Sequence, residues 1–586
     1  MRTKKLANYK LSISILLILI LLICPTATVL AADDVLSEVR NLLKRSYVDP
    51  VSGDVLNAPT VDETLQRLGD PHTRYMNALE YQDFLKSIED KSFSGIGINV
   101  EPAEEGVLVT GVVKGFPAEA AGLQKGDLII EAGGQSLAGL TPEMIVNIIR
   151  GPEGSKVDLK VKRGGSILTF TVERRKIEEP TVTGEKLAGQ IGYIEIHSFG
   201  MTTPAVFADV IQELRGQGVV SWIIDLRDNP GGYLDVALDL AGYFIGPNPV
   251  MQVKDQKHPL QTYLAADHKF VIDQPVVFLI NENSASASEI LAAAVEDHHK
   301  AILIGNKTYG KGTVQSIFNL SDGGVLKMTV ARFYSPKGNT INEVGVLPDV
   351  PVLTTDAKAA AELLLSGVGR AENPDKSGYI QFTCNSDRFA VSLSQACSPE
   401  FWQSWGELIN LAAASEIYQT GIGGSNGWTN VTAEMLRKRW PLYYPDYRQV
   451  GDLHDIPLDK KFTVSFQGQV DWQTVNENSV ELINSSTGER VPIEFQVLDA
   501  GTLQVRPKLD AGTGTRTELK PGTTYWLVLH QTIRDIKGSG LHQGALAVVK
   551  TAGSPVIVQS PGARVKPQSE MVNPDSDYGQ AILDLS

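Results

Sequence analysis

The apolar positions change their period in blocks along the chain, and each block predicts a different kind of element. From 33 to 90, Val35, Val39, Leu42 and Leu43 recur at helical spacing with few turn residues between them. This predicts a small helical segment whose apolar face packs on a neighbouring element or on a second copy, a route to a homo-oligomer. From 91 to 177 the period falls to two. Val107-Leu108-Val109, Val157-Asp158-Leu159-Lys160-Val161 and Leu168-Thr169-Phe170-Thr171-Val172 read as strands between glycine turns, and Pro142 to Ile149 reads as a helix opening after Thr141. The block is a compact β-domain with one main helix.

From 178 to 355, buried strands alternate with helices. Ile191 to Ile196, Val219 to Leu226 and Val276 to Ile280 are strands; Ala205 to Leu214, Leu234 to Phe244 and Glu289 to Val295 are helices. Continuous apolar strands are expected where both faces of a sheet are covered, so this is an α/β core, with its site in the loops at the carboxyl ends of the strands. Residues 356–450 open as a helix and become Trp-rich (Trp402, Trp405, Trp428, Trp440) without a period that names a fold. From 451 to 553 alternation returns, as in Phe462-Thr463-Val464-Ser465-Phe466 and Tyr525-Trp526-Leu527-Val528-Leu529, and predicts an all-β sandwich. The Pro- and Ser-containing stretch 554–586 reads as a flexible tail.

The first 31 residues belong to none of these blocks. Arg2, Lys4, Lys5 and Lys10 precede an aliphatic run from Leu11 to Ile23, followed by Val29-Leu30-Ala31 as a cleavage site. That is a signal peptide or a signal anchor, and it predicts an exported chain, secreted or held at the outer face of the cytoplasmic membrane. At 586 residues, with 42% hydrophobic and 21% charged side chains, the chain is multidomain and globular. It has 53 basic and 68 acidic side chains; without the leader's four bases the count is 49 against 68, a net of −19, which argues against nucleic acid as a partner. Past the leader only Cys384 and Cys397 remain. In an exported chain they form a disulfide candidate. No Cys-x-x-Cys or His-x-x-x-His pattern accompanies them, so neither a metal nor another cofactor is expected.

The candidate chemistry lies in the α/β core. After the strand Val276 to Ile280 comes Asn281-Glu282-Asn283-Ser284-Ala285-Ser286-Ala287-Ser288-Glu289 and then a helix. Ser286-x-x-Glu289 is a capping box that starts a helix without any catalysis, yet a serine there is also presented at the sheet edge, beside helix-start amides that can hold a developing oxyanion. Its hydroxyl needs a base. His298 and His299 lie 12 and 13 residues along the same helix, roughly 18 Å away by the helical rise. Lys311, in the turn Tyr309-Gly310-Lys311-Gly312-Thr313, can return beside the strand end, where desolvation lowers an ammonium pKa.

The segments Asn283-Ser284-Ala285-Ser286-Ala287-Ser288-Glu289-Ile290 and Thr308-Tyr309-Gly310-Lys311-Gly312-Thr313-Val314-Gln315 resemble the active-site segments of the C-terminal processing (tail-specific) serine peptidases. Asp225-Leu226-Arg227-Asp228-Asn229-Pro230-Gly231-Gly232 resembles the segment before them, and Phe333 to Gly338 with Gly345 to Asp349 the one after. The resemblance covers about residues 65 to 352. It implies Ser286 as nucleophile, Lys311 as general base, Gln315 as the residue orienting the lysine, and an oxyanion hole from the Ala287 amide with either Gly231 or Gly232. Ser94-Gly95-Ile96-Gly97-Ile98 and Pro117 to Asp127 look like a PDZ domain. This implies amides of Gly95, Ile96, Gly97 and Ile98 on a substrate's C-terminal carboxylate, with Ile145 lining the side-chain pocket. The stretch 451–553 is similar to bacterial immunoglobulin-like modules, which extends the family's usual short form and is consistent with cell-envelope association. The implied function is an endopeptidase acting on exported proteins at or near accessible C-termini.

Overall fold

The computed structural model describes residues 31–89, 93–113, 115–177, 180–368, 375–508, 518–553 and 581–583. The leader through residue 30 and nearly all of the tail lie outside the described residues. Among those described, no helix is long and apolar enough to cross a membrane. The chain divides into two compact units.

The smaller unit joins the described residues 31–87 with two later stretches, 255–257 and 314–331. Its helices Ala31–Ser46 and Val61–Leu68 pack with the strand Arg74–Met76, which runs antiparallel to Val325–Lys327. The predicted helical stripe of Val35, Val39 and Leu43 is covered within the chain by Leu320, Leu326 and Met328. The Val61–Leu68 helix starts on Thr60, whose hydroxyl accepts from the Glu63 amide, and stops at Gly69 in the left-handed region.

In the larger unit the β-domain is an antiparallel sheet in the order Ile98–Ala103, Gly106–Val112, Leu128–Ala132, Lys156–Arg163, Ser166–Glu173. Lys156–Arg163 buries alternate residues, Val157, Leu159 and Val161, as its period predicts. The helix spans Pro142–Ile149 with Thr141 as its N-cap.

The α/β core carries one antiparallel edge strand, Val182–Lys186, followed by parallel strands in the order Ile191–Ile196, Ser221–Asp225, Val276–Ile280, Ile302–Gly305 and Val350–Pro351. All residues of Ser221–Asp225 and Val276–Ile280 are buried, because helices cover the sheet.

The Trp-rich stretch forms a module of its own. Two hairpins make the sheet Asp387–Ser392, Tyr379–Cys384, Tyr418–Gly424, Gly427–Asn430, backed by the helix Trp402–Ala414. A single apolar core runs from Ile191, Ile223, Val277 and Ile304 of the α/β sheet, through Trp402 and Trp405, to Trp526, Val528 and Leu546 of the C-terminal sandwich. Trp402 lies 4.2 Å from Tyr443 and 5.5 Å from Trp526, ring centre to ring centre, and its indole N–H donates to the Ser485 carbonyl at 3.0 Å. Truncating such a side chain removes its burial and leaves a cavity, so Trp402→Ala is expected to destabilise the extension by about 3–5 kcal/mol, read from urea unfolding of the full chain. The sandwich places Tyr447–Ile456, Gly544–Thr551, Thr524–Leu529 and Val480–Asn484 against Phe462–Phe466, Thr502–Pro507 and Ile493–Val497.

The expected disulfide is absent: Cys384 and Cys397 are free thiols. Cys384 ends one strand of a hairpin, and the return strand Asp387–Ser392 carries the chain about 16 Å back along the sheet before Cys397 is reached. Their sulfurs face different carbonyls, Asp349 at 3.6 Å and Tyr443 at 3.2 Å. Burial pushes both thiols up to about 12, so neither is a thiolate at neutral pH.

Candidate active site

Three adjacent parallel strands end at one edge of the core sheet, and each leads into a loop that carries part of the site. Ser221–Asp225 feeds the Gly231-Gly232 turn, Val276–Ile280 feeds Ser286, and Ile302–Gly305 feeds Lys311. At the foot of the first, Arg227 grips Asp225 with Nη2 at 2.7 Å while the Tyr193 hydroxyl donates to the same carboxylate at 2.8 Å.

Ser286 stands at the head of the helix Ala287–Asp297 with φ 58° and ψ −111°, far from the extended backbone of an ordinary N-cap. Such a conformation costs a side-chain-bearing residue of order 1–3 kcal/mol, and its surroundings must hold it. They do so with hydrogen bonds from the Ser284 hydroxyl to the Leu226 carbonyl at 2.8 Å and from the Ala285 amide to the Asn229 carbonyl at 3.0 Å. Ser286 itself remains half-buried.

The acid three residues on is more than a cap. Glu289 is fully buried, and its two oxygens take four donors. Oε2 accepts from the amides of Ser286 and Lys311, each at 2.8 Å; Oε1 accepts from the Thr308 hydroxyl at 2.5 Å and the Gly310 amide at 2.7 Å. One carboxylate thereby holds the serine turn and the lysine loop together. The sequence carried a signal for this role, an acid heading the otherwise apolar run Ile290-Leu291-Ala292-Ala293-Ala294-Val295, but capping accounted for it first.

Lys311 is half-buried. Loss of hydration pushes its pKa below the usual lysine range, and the negative charge of Glu289 opposes the shift without cancelling it. Gln315 follows four residues later on the strand Thr313–Asn319. The two histidines are elsewhere. The helix carries them roughly 18 Å from Ser286 by its rise, where His298 Nε2 lies 2.7 Å from the Pro249 carbonyl and His299 Nε2 lies 3.4 Å from Lys337 Nζ.

The two glycines differ in their surroundings. At Gly231, φ 98°, a Cβ would stand 2.6 Å from the Ala285 carbonyl oxygen and 2.9 Å from Ser286 Cβ, so only glycine lets this turn lie against the serine. Its N–H is already donated to Asn229 Oδ1 at 2.9 Å. Gly232 is exposed, and among the described residues its amide has no acceptor; the same holds for the Ala287 amide at the helix start. Asn229, missed in the sequence, is the buried tie of this loop, since its side chain also donates to the Ile196 carbonyl at 2.6 Å.

In the β-domain, Gly95, Ile96, Gly97 and Ile98 line a groove together with Val146 and Ile149. Ile145 does not line it, contrary to expectation. It is 1% exposed and packs into the domain core with Val107, Ile129 and Leu159. Among the described residues no group of three or more His, Cys, Asp or Glu side chains is placed to hold a metal.

The α/β core with a serine turn and a part-desolvated lysine at its strand ends follows a PDZ-like β-domain in the chain, and similarity to known proteins gives the class of serine peptidase to which this arrangement belongs. Residues 190–352 match the model of peptidase family S41, 85–162 that of the PDZ domain and 451–548 that of the bacterial Ig-like domain. The chain belongs to the S41 family, among the carboxy-terminal processing serine proteases. It is 35% identical over 320 residues to the carboxy-terminal processing protease CtpA of Bacillus subtilis, an alignment that takes in 54% of this chain and 68% of that one. It is 36% identical over 319 residues to a probable CtpA-like serine protease of Staphylococcus epidermidis, with 54% and 64% covered. A solved photosystem II D1 C-terminal processing protease is 27% identical, with 54% of this chain and 92% of that chain covered and a TM-score of 0.37.

Proposed function

We propose that Ser286 and Lys311 form the catalytic dyad of an endopeptidase that trims exported proteins at or near their C-termini. The observation that carries this reading is the Glu289 carboxylate, which accepts from the backbone amides of both residues at 2.8 Å. Neutral Lys311 takes the Ser286 Oγ proton as the oxygen attacks a peptide carbonyl, and passes it to the departing amine as the C–N bond breaks. Water, deprotonated by the same lysine, then hydrolyses the acyl-serine ester and frees the serine. The tetrahedral oxyanion sits on the two unpartnered amides, Ala287 and Gly232, which favours Gly232 over Gly231 as the second donor. Gln315 takes the lysine-orienting role on the strength of its motif. The PDZ groove receives a substrate C-terminus on the amides of residues 95–98, delivering substrate or gating the site. The leader sequence supports an extracytoplasmic location.

Ser286→Ala keeps the backbone and removes only the nucleophile. The variant is expected to fold with an unchanged circular dichroism spectrum and to lose casein cleavage; wild-type turnover in this variant would remove Ser286 from the mechanism.

A further inference from the structure

The two loops that supply the unpartnered amides are joined by a seam of hydrogen bonds. Its inner part is buried: the Ala285 amide and the Ser288 hydroxyl both donate to the Asn229 carbonyl, at 3.0 and 2.9 Å. Its outer part is built by Asp228, which is exposed and sits at φ 60°, in the left-handed region that side-chain-bearing residues rarely adopt. The Asp228 amide donates to Asn281 Oδ1 at 2.9 Å, and Asp228 Oδ1 accepts from Asn281 Nδ2 at 2.9 Å and from Asn283 Nδ2 at 2.7 Å. The three bonds cross from the Asn229-Pro230-Gly231-Gly232 turn to the turn that leads into Ser286.

An exposed aspartate in a strained backbone, tied to two asparagines of the opposite loop, is not needed to build the sheet or its core. Its bonds act instead on the spacing of the two loops. Gly232 lies four residues after Asp228, and Ala287 lies four after Asn283. Resting on the Ser286/Lys311 reading, we propose that Asp228 is a positioning residue: with Asn281 and Asn283 it clamps the outer edge of the two loops and thereby sets the distance between the Gly232 and Ala287 amides. Such a clamp matters most when charge develops on the oxyanion, since donors worth 10²–10³-fold in rate are sensitive to small displacements. It has no part in holding the ground-state substrate, so its loss falls on kcat rather than KM.

The experiment uses the exported chain, a fluorogenic peptide cleaved by it and a peptide boronic acid, whose tetrahedral adduct on serine places an oxygen where the oxyanion forms. Asp228→Ala is expected to lower kcat about tenfold with KM unchanged, and to weaken the boronate by the same factor. Asp228→Asn keeps an acceptor oxygen and tolerates left-handed backbone, so it recovers most of the loss. Asn283→Ala, an exposed truncation on the other loop, lowers kcat in the same way, and the double variant with Asp228→Ala is no slower than the slower single one. Full kcat in Asp228→Ala, an equal fall with boronate affinity unchanged, an Asn variant as slow as the Ala one, or additive losses in the double variant would each overturn the clamp. Ser286→Ala, assayed alongside, separates the two claims: if it still cleaves, the site reading fails, and if it is inactive while Asp228→Ala is not impaired, only the clamp fails.

Discussion

Lys311→Met is expected to abolish turnover and, at neutral pH, to leave the protein more stable than the wild type. A general base contributes about 10²–10⁴-fold, and methionine has the length of the lysine stem but cannot accept a proton. The stability gain comes from the direction of the pKa shift. Burial lowers the folded-state pKa of Lys311, so at neutral pH the unfolded chain holds this proton more tightly than the folded one. That difference opposes folding below the unfolded-state pKa and disappears as pH rises past the ordinary lysine value of about 10.4. Methionine has no such cost, and its advantage in melting temperature should shrink toward zero above that pH. If Lys311 is the base, the same shift predicts that kcat/KM of the wild-type chain rises with pH with an inflection below the ordinary lysine value; an inflection at or above that value would contradict a desolvated lysine base.

Glu289→Gln is expected to damage stability and catalysis together. The buried carboxylate takes four donors, and an amide presents two N–H groups to the side where two of those donors already point. Leaving buried donors unsatisfied costs about 1–3 kcal/mol each, so a loss of about 3 kcal/mol in urea unfolding is expected. The Ser286 turn and the Lys311 loop lose their common tie, and displacement on the scale of an ångström costs on the order of 10²-fold in rate. A variant that unfolds at the wild-type urea concentration with undiminished kcat would show that Glu289 is only a helix cap.

Much of the architecture is legible in the sequence. The helix Pro142–Ile149, the strands Ile191–Ile196 and Val276–Ile280 and the strand Phe462–Phe466 fall where their periods put them, because each buries one face or both against a neighbour and the period records which. Ser286, Lys311 and the Gly231-Gly232 turn are visible as motifs at strand ends. Other expectations fail where the deciding fact is a direction in space. Ile145 and Val146 are equally apolar and adjacent in sequence, and only the rotation of the helix decides that Val146 faces the groove. Cys384 and Cys397 are close enough in sequence to bridge, but the hairpin between them carries them apart.

The amino-acid sequence by itself determined which elements form, the order of the modules, and the residue types of the proposed Ser/Lys site, since these depend on local period, turn chemistry and side-chain identity. The tertiary structure alone decided that three strand ends meet, that Glu289 binds two loops at once, that Gly231 has already given its N–H to Asn229 while Gly232 has not, and that the Trp-rich stretch packs between the core sheet and the Ig-like sandwich. These are matters of which groups converge from distant parts of the chain, and a hydrogen bond or a buried ring has no fixed sequence separation for a pattern to record.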